Sequence, residues 1–334
     1  MSEVSVIVPT FNRPELLRRA LQSLQAQTFR DFEVVVANDA GTDVSALVES
    51  FSPFFRVQYV SATSNGGLAA TRNLALKHAH GALIAYLDDD DEYLPEHLQV
   101  LRDFWHSVPN QVVYSDAYRT SYYRSASGEL KVIKRKVPFS KPFSLETLLV
   151  ENLAPVNCFL HHRECLEKVG IFDVGLYTHE DWDFWIRMGL VYPFAHVSKV
   201  TSNVSFIYGG GSMTATRKMS FEHSRLLLYR RYAQASSSMP GVLEGQKRAE
   251  ERIYQNYAPA IDLFDPEKRV KDRIFTFFDE MMKPEHKLVA QLSESLCKEY
   301  KLARRYPWLL TFRKLVLGIL SLFKKKYRYH TIYD

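Results

Sequence analysis

Val4-Ser5-Val6-Ile7-Val8-Pro9 is a β-branched run closed by proline, which predicts a first buried strand. Pro14 suits the first turn of a helix, and Leu16, Leu17, Ala20, Leu21 and Leu24 then keep helical spacing. A second strand is predicted over residues 32–37, ending at Asn38-Asp39-Ala40-Gly41. Strand, helix and strand in this order make a βαβ unit with parallel pairing. The pattern repeats with a helix over 44–51, a strand over 57–60, and Asn65-Gly66-Gly67 opening a helix over 68–78. The apolar run 82–87 predicts a fourth buried strand, and Pro95 followed by Leu98, Leu101, Phe104 and Trp105 opens an amphipathic helix.

Beyond residue 115 the texture changes. Residues 118–124 and 130–136 flank Ser127-Gly128 like a hairpin. A short helix over 145–150, a strand over 156–160 and a helix over 163–169 stopped by Gly170 follow. The acids of His179-Glu180-Asp181-Trp182-Asp183 suit a helix N-terminal turn. After a strand-like run over 194–208, Gly209-Gly210-Gly211 breaks the order, and the pattern is helical from about residue 215. The predicted architecture is α/β, a doubly wound sheet over residues 1–214 with halves at 1–115 and 116–214. A helical region over 215–334 follows it.

Composition changes this picture little. The 334 residues are 46% hydrophobic and 24% charged, ordinary for a globular protein. Cys158, Cys165 and Cys297 form no Cys-x-x-Cys pair, so neither a zinc site nor a disulfide framework follows. The N-terminus lacks a basic n-region and apolar h-region, and no window reaches about 18 uninterrupted apolar residues, so a cytoplasmic chain is expected. The net charge of +5 is unevenly spread. A basic tail from Lys298 interleaves Lys324, Lys325 and Lys326 with Trp308, Leu309, Leu310, Leu322 and Phe323. It suits either peripheral contact with the inner face of the cytoplasmic membrane or internal packing and oligomer formation. Nucleic-acid binding is not indicated, because the basic residues gather in a greasy tail and not in a groove with stacking aromatics.

Asp88-Asp89-Asp90-Asp91 carries the chemistry. Ligand crevices of open α/β sheets lie beyond the carboxyl ends of strands, where this run sits. Four adjacent carboxylates repel one another, and either a cation or a solvated loop relieves that.

In order along the chain, Val6-Ile7-Val8-Pro9-Thr10-Phe11-Asn12-Arg13, Asn38-Asp39, Asn65-Gly66-Gly67 through Arg72-Asn73, Leu87-Asp88-Asp89-Asp90-Asp91 with Pro95, Val169-Gly170-Ile171-Phe172-Asp173, and Glu180-Asp181-Trp182-Asp183 with Trp185 and Arg187 resemble family 2 glycosyltransferases. These are inverting enzymes of the GT-A fold that use nucleotide-diphosphate sugars, and the resemblance covers roughly residues 3–215. It implies Mn²⁺ or Mg²⁺ at Asp90, with Asp88 helping to hold ribose or metal and Asp91 joining as an acid behind them, because hard oxygens hold such ions against a leaving diphosphate. It places the nucleotide sugar near Pro9, Phe11, Asn12, Asp39, Gly67, Arg72, Asp88 and Asp89. Phe11 would stack on the base, Asp39 would accept its ring N–H, and Arg72 would touch base or phosphate. For each of these three a plain structural role is the alternative: a core phenylalanine, a capping aspartate, a solvated arginine.

The resemblance further makes Asp181, beside Glu180, the candidate general base, and one of Trp182, Phe184 and Trp185 a platform for the acceptor. Relatives often carry a histidine after the last strand that completes the metal shell. Here Phe206-Ile207-Tyr208-Gly209-Gly210-Gly211-Ser212-Met213-Thr214 has none, which leaves the metal mainly to Asp90, the diphosphate and water, and the glycines are either a lid over the donor or a simple connector. The Gln-x-x-Arg-Trp signature of processive members is absent, which predicts one sugar per encounter. The implied function is transfer from a nucleotide-diphosphate sugar, UDP first, to a hydroxyl of a glycan or lipid-linked acceptor in surface polysaccharide synthesis. The alternative is a non-catalytic nucleotide-sugar-binding or membrane-associated assembly protein.

Overall fold

A computed structural model describes residues 2–109, 111–125, 128–208 and 218–264. The chain divides into two compact units, Met1–Thr216 and Arg217–Asp334.

In the first unit, β1 (Val4–Thr10), β2 (Phe32–Asn38), β3 (Arg56–Ser61) and β4 (Leu83–Tyr86) pair in parallel, in the order β3-β2-β1-β4. Between them lie α1 (Pro14–Gln25), α2 (Ser45–Glu49) and α3 (Gly67–His78). Alternation along the strands separates two cores. Val4, Val6, Val8, Val34, Val36, Leu83 and Ala85 pack with Leu17 and Leu21 of α1, Val48 of α2, and Leu98 and Leu101 of α4 (His97–Ser107). The opposite-facing Tyr86 meets the rings of Phe172, Phe184 and Trp185 edge-on.

The sheet continues through β6 (Val112–Arg124), β7 (Leu130–Phe139), β8 (Phe159–His162) and β9 (Phe194–Tyr208), with a two-residue strand β5 (Glu92–Tyr93) on β9. Among the described residues this makes one nine-stranded mixed sheet. The predicted hairpin is the β6–β7 pair. Two elements differ in kind from the sequence reading. The expected strand over 156–160 begins as a 3₁₀ turn, Val156–Cys158, after Pro155, and only then becomes β8; this turn lets Asn157 reach Asp91. The short β5 lacked the length for a periodic signal. The helix α5 (Leu145–Leu148) carries its own Ser144 cap, and α6 (Cys165–Val169) stops at Gly170, whose φ of +75° favours glycine. α7 (Glu180–Gly189) opens with three acids in its first turn.

The second unit shows α8 (Lys218–Arg231), α9 (Ala233–Ser236) and α10 (Pro240–Phe264). Leu226, Leu228, Val242, Ala249 and Ile253 are buried there, and Gln246 donates to Ser236 Oγ at 3.2 Å. No helix of the described residues is long and apolar enough to cross a membrane. The Gly209-Gly210-Gly211 stretch, the part of the predicted helical region beyond residue 264, and the basic tail lie outside the described residues.

Candidate active site

The carboxyl ends of β1, β2 and β4 meet the N-terminus of α7, and the four consecutive aspartates take four different roles there. Asp89 is almost fully buried: its Oδ2 accepts from Thr10 Oγ1 at 2.8 Å and its Oδ1 from Arg13 Nη1 at 3.3 Å. Asp91 is equally buried and holds distant backbone, accepting from the Ser205 amide at 2.8 Å and from Asn157 Nδ2 at 3.2 Å. Asp88 and Asp90 reach solvent, with side chains 26% and 23% exposed. Each commits one oxygen to a guanidinium: Asp88 Oδ1 accepts from Arg72 Nη2 at 2.7 Å, and Asp90 Oδ2 from Arg13 Nη1 at 3.1 Å.

Arg72 is the linchpin, and it does not sit where the resemblance places it. Instead of facing a base or phosphate it is buried, 1% exposed, and its other nitrogen, Nη1, donates to Glu180 Oε1 at 2.6 Å. Its guanidinium lies 5.3 Å over the Phe172 ring. One side chain thereby ties the aspartate loop to α7, and this is neither the donor contact nor the solvated alternative. Asp181 follows Glu180 and is half-buried. Its Oδ2 accepts from Asn152 Nδ2 at 3.0 Å and its Oδ1 from the Trp182 amide at 2.8 Å. Burial, then the adjacent Glu180, push the Asp181 carboxyl up to about 7.

On the β1–β2 side, Phe11 is 43% exposed and so is no core residue. Asn12 has φ +55° and its Oδ1 accepts from both the amide and the hydroxyl of Thr42, at 2.7 and 3.0 Å. A Cβ on Gly41 would lie 2.8 Å from that Oδ1 and 3.0 Å from the Phe11 ring, so only glycine lets the two loops close together. Asp39 plays the capping part: its oxygens accept from the Gly66 and Gly67 amides at 2.7 and 2.9 Å, at the positive end of α3. Gly67 takes φ +82°, which favours glycine. Pro9 is buried within β1, opposite Ala37.

Asp91 faces inward with both oxygens engaged, so the share left to it in holding an ion is a supporting one. One expectation is corrected here: Trp182, Phe184 and Trp185 are all fully buried, so none of them faces an acceptor. Trp182 Nε1 donates to the Leu148 carbonyl at 2.6 Å, which fixes α7 against α5. Conversely, Thr10, Arg13, Asn152 and Asn157 enter the site without having been singled out. Arg13 stood inside the first motif, which was the available signal; Asn152 and Asn157 lay in a stretch with no motif at all.

The charge balance is unequal. Asp88, Asp89, Asp90, Glu180 and Asp181 converge on Arg13 and Arg72, and Asp91 lies beside them with no ion pair among the described residues. Burial and Asp88 raise the Asp90 carboxyl above its usual range, and burial with Asp90 does the same to Asp91. A raised carboxyl contributes stability in its protonated form, and that contribution is lost as pH rises through its folded value. Asp90→Asn should therefore raise the metal-free melting temperature at pH 8 by about 2–4 °C, an advantage that shrinks toward pH 4 in a thermal-shift series.

Residues 5–169 match the family described as Glycosyl transferase family 2. The chain is 27% identical over 213 residues to the uncharacterized glycosyltransferase YwdF of Bacillus subtilis, covering 64% of this chain and 78% of that protein. It is 28% identical over 224 residues to the putative colanic acid biosynthesis glycosyl transferase WcaA of Escherichia coli, covering 64% and 76%. In three dimensions it is similar to S. aureus TarS, at TM-score 0.62 and 20% identity, over 85% of this chain and half the length of TarS. TarS 1–349 in complex with UDP-GlcNAc gives 0.56 at 19% identity, over 83% and 91%. The mannosyltransferase PcManGT of Pyrobaculum calidifontis, in complex with GDP-Man and Mn²⁺, gives 0.53 at 16% identity, over 92% and 88%. These likenesses carry the fold, and the sequence matches carry the family. Residues 5–169 are a glycosyl transferase family 2 domain, and the chain is a glycosyltransferase on the GT-A fold.

Proposed function

We propose that this glycosyltransferase inverts configuration, taking a sugar from a UDP-sugar and delivering it to a hydroxyl of a glycan or lipid-linked acceptor in surface polysaccharide synthesis. One observation carries the reading: buried Arg72 joins Asp88 to Glu180, so the acid run and the Asp181 carboxyl belong to a single site. UDP is favoured by the likeness to the UDP-GlcNAc complex of TarS, and the pathway by the likeness to WcaA.

The donor set suits a divalent cation. Asp88 and Asp90 each keep one hard oxygen uncommitted in a cluster where acids outnumber cations. An ion here would be held by the two carboxylates and completed by substrate phosphates and water. A bound Mn²⁺ or Mg²⁺ would neutralise charge on the departing diphosphate.

The protein's own residues do the rest. Phe11 offers an exposed ring for the base, and Asp39, fixed by the Gly66 and Gly67 amides, keeps lone pairs for a base N–H. Asn12, Pro9, Gly67 and Asp89 shape that wall. Asp89 works indirectly, by holding Thr10 and Arg13. Asp181 takes the proton of the attacking hydroxyl on the sugar face opposite the diphosphate, and Asn152 and the Trp182 amide aim its oxygens. Glu180 positions rather than reacts, because its carboxylate is spent on Arg72. We place the reaction on the cytoplasmic side, with residues 1–214 as the catalytic domain and the tail as a candidate membrane-surface contact.

Calorimetric titration of UDP-sugars with Mn²⁺, Mg²⁺ or EDTA tests this. Wild type should bind one donor in a metal-dependent way, and Asp90→Ala should lose at least about tenfold in affinity. Failure of the wild type to bind any nucleotide sugar would overturn the proposal.

A further inference from the structure

Three strands of the outer sheet carry a pattern that the donor site does not use. Pairing between β7, β6 and β9 sets three rows side by side: Lys136, Arg119 and Val204; Lys134, Ser121 and Phe206; Lys131, Tyr123 and Tyr208. Residues opposite one another on paired strands share a face, and the contacts confirm it here. The Arg119 guanidinium lies 5.2 Å over the Phe206 ring, whose centroid is 5.0 Å from that of Tyr208. Tyr123 and Tyr208 are 44% and 56% exposed, and the three lysines are exposed as well. Among the described residues no carboxylate pairs with any of these four cations; the lysine pairs of this unit are Lys141 with Glu151 and Lys199 with Glu96.

The other face of the same hairpin is different. There Arg135 Nε donates to Thr120 Oγ1 at 3.0 Å and stacks over Tyr118, and Tyr122 Oη accepts from Asn203 Nδ2 at 3.1 Å. Val132 lies on that side, opposite Tyr122.

We infer that the Lys131–Lys134–Lys136–Arg119 face, with Tyr123, Phe206 and Tyr208, binds a polyanionic glycan chain, the acceptor class of this enzyme. Unpaired cations seek anionic groups, and aromatic faces beside them offer flat apolar surface to sugar rings. A second copy fits poorly, since lysines along an unpaired edge strand repel their own kind. A bilayer fits less well than a glycan, because a surface that enters lipid sets exposed aliphatic side chains among its cations, whereas here the aliphatic in the rows, Val204, is half-buried and the exposed Val132 lies on the opposite face. The strands connect this face to the donor site: the amide of Ser205, next to Phe206, donates to Asp91.

This inference rests on the proposed transfer to a glycan, so both are tested in one preparation of the full chain. Fluorescence anisotropy would follow a labelled oligogalacturonate, a neutral maltodextrin of equal length, and phosphatidylglycerol vesicles, with UDP-sugar binding measured in parallel. Wild type should bind the oligogalacturonate in a salt-sensitive way and the maltodextrin far more weakly. Lys131→Gln/Lys134→Gln/Lys136→Gln should lose about tenfold, Tyr208→Ala should weaken binding at any salt, and donor affinity should hold in both. Equal binding of the neutral chain, or an unchanged triple variant, overturns the inference. So does vesicle binding lost in the triple variant with no oligogalacturonate bound by wild type, which would make the face a membrane contact. Donor binding that fails while oligogalacturonate binding persists refutes the transferase proposal and not this surface.

Discussion

Asp181→Asn should lower the transfer rate by about 10²–10⁴-fold, the usual contribution of a positioned general base, while leaving donor affinity nearly intact. The two halves of this outcome separate chemistry from binding, because Asp181 is held on the α7 side of Arg72 and Asp88 on the donor side. The pH dependence follows from the same environment. Burial and Glu180 raise the carboxyl to about 7, and the base works only when deprotonated. The rate constant kcat/KM should climb with pH and level off above about 7, and this acid limb should vanish in the variant. Asn152 supplies a sharper check. Its amide donates to Oδ2 and so favours the ionised form; Asn152→Ala should shift the acid limb to higher pH, a displacement that a merely structural role would not produce. Near-normal turnover by Asp181→Asn would remove Asp181 from the mechanism.

Arg72→Met should destabilise the first unit by about 3–5 kcal/mol, the cost of stranding buried Glu180 and part-buried Asp88 without their shared partner. Asp88 and Glu180 both lose a charge-assisted hydrogen bond, at 2.7 and 2.6 Å respectively, and among the described residues neither forms another ion pair. Arg72→Lys should recover little, since an ammonium cannot present two fixed nitrogens to two carboxylates. The decisive comparison is the triple variant Arg72→Met/Asp88→Asn/Glu180→Gln. Removing the stranded charges should restore much of the lost stability in urea unfolding, yet activity should stay absent. If the triple variant were no more stable than Arg72→Met, the electrostatic account of this cluster would fail.

Much of the first unit was legible along the chain because its signals are local. Val4 to Val8, Leu17 to Leu24 and the apolar run ahead of Asp88 carry the periodicities of strand and helix, and their order compels parallel pairing, which β1, β2, β3 and β4 show. Pro14 and Gly170 marked a helix start and a helix end by steric rules that need no neighbours. The strand-end position of the acid run was readable for the same reason. The sequence alone therefore determined the doubly wound start, the hairpin, the acid run at a strand end and the acids opening α7.

What only the tertiary structure decided is which of those residues meet. Four identical side chains, Asp88 to Asp91, look equivalent in sequence, but their partners come from Arg72, Thr10 with Arg13, Arg13, and Ser205 with Asn157. The family resemblance made Arg72 a donor contact; Glu180, 108 residues away, made it a buried bridge instead. Phe184 and Trp185 went into the core because Tyr86 and Phe172 offered rings to pack on, a choice that helical spacing leaves open. The physical reason is common to all three. Backbone periodicity is fixed by neighbours within a few residues, whereas the partner of a charge or a ring is whatever the chain crossing brings within a few ångströms, and burial then sets how strongly that partner acts.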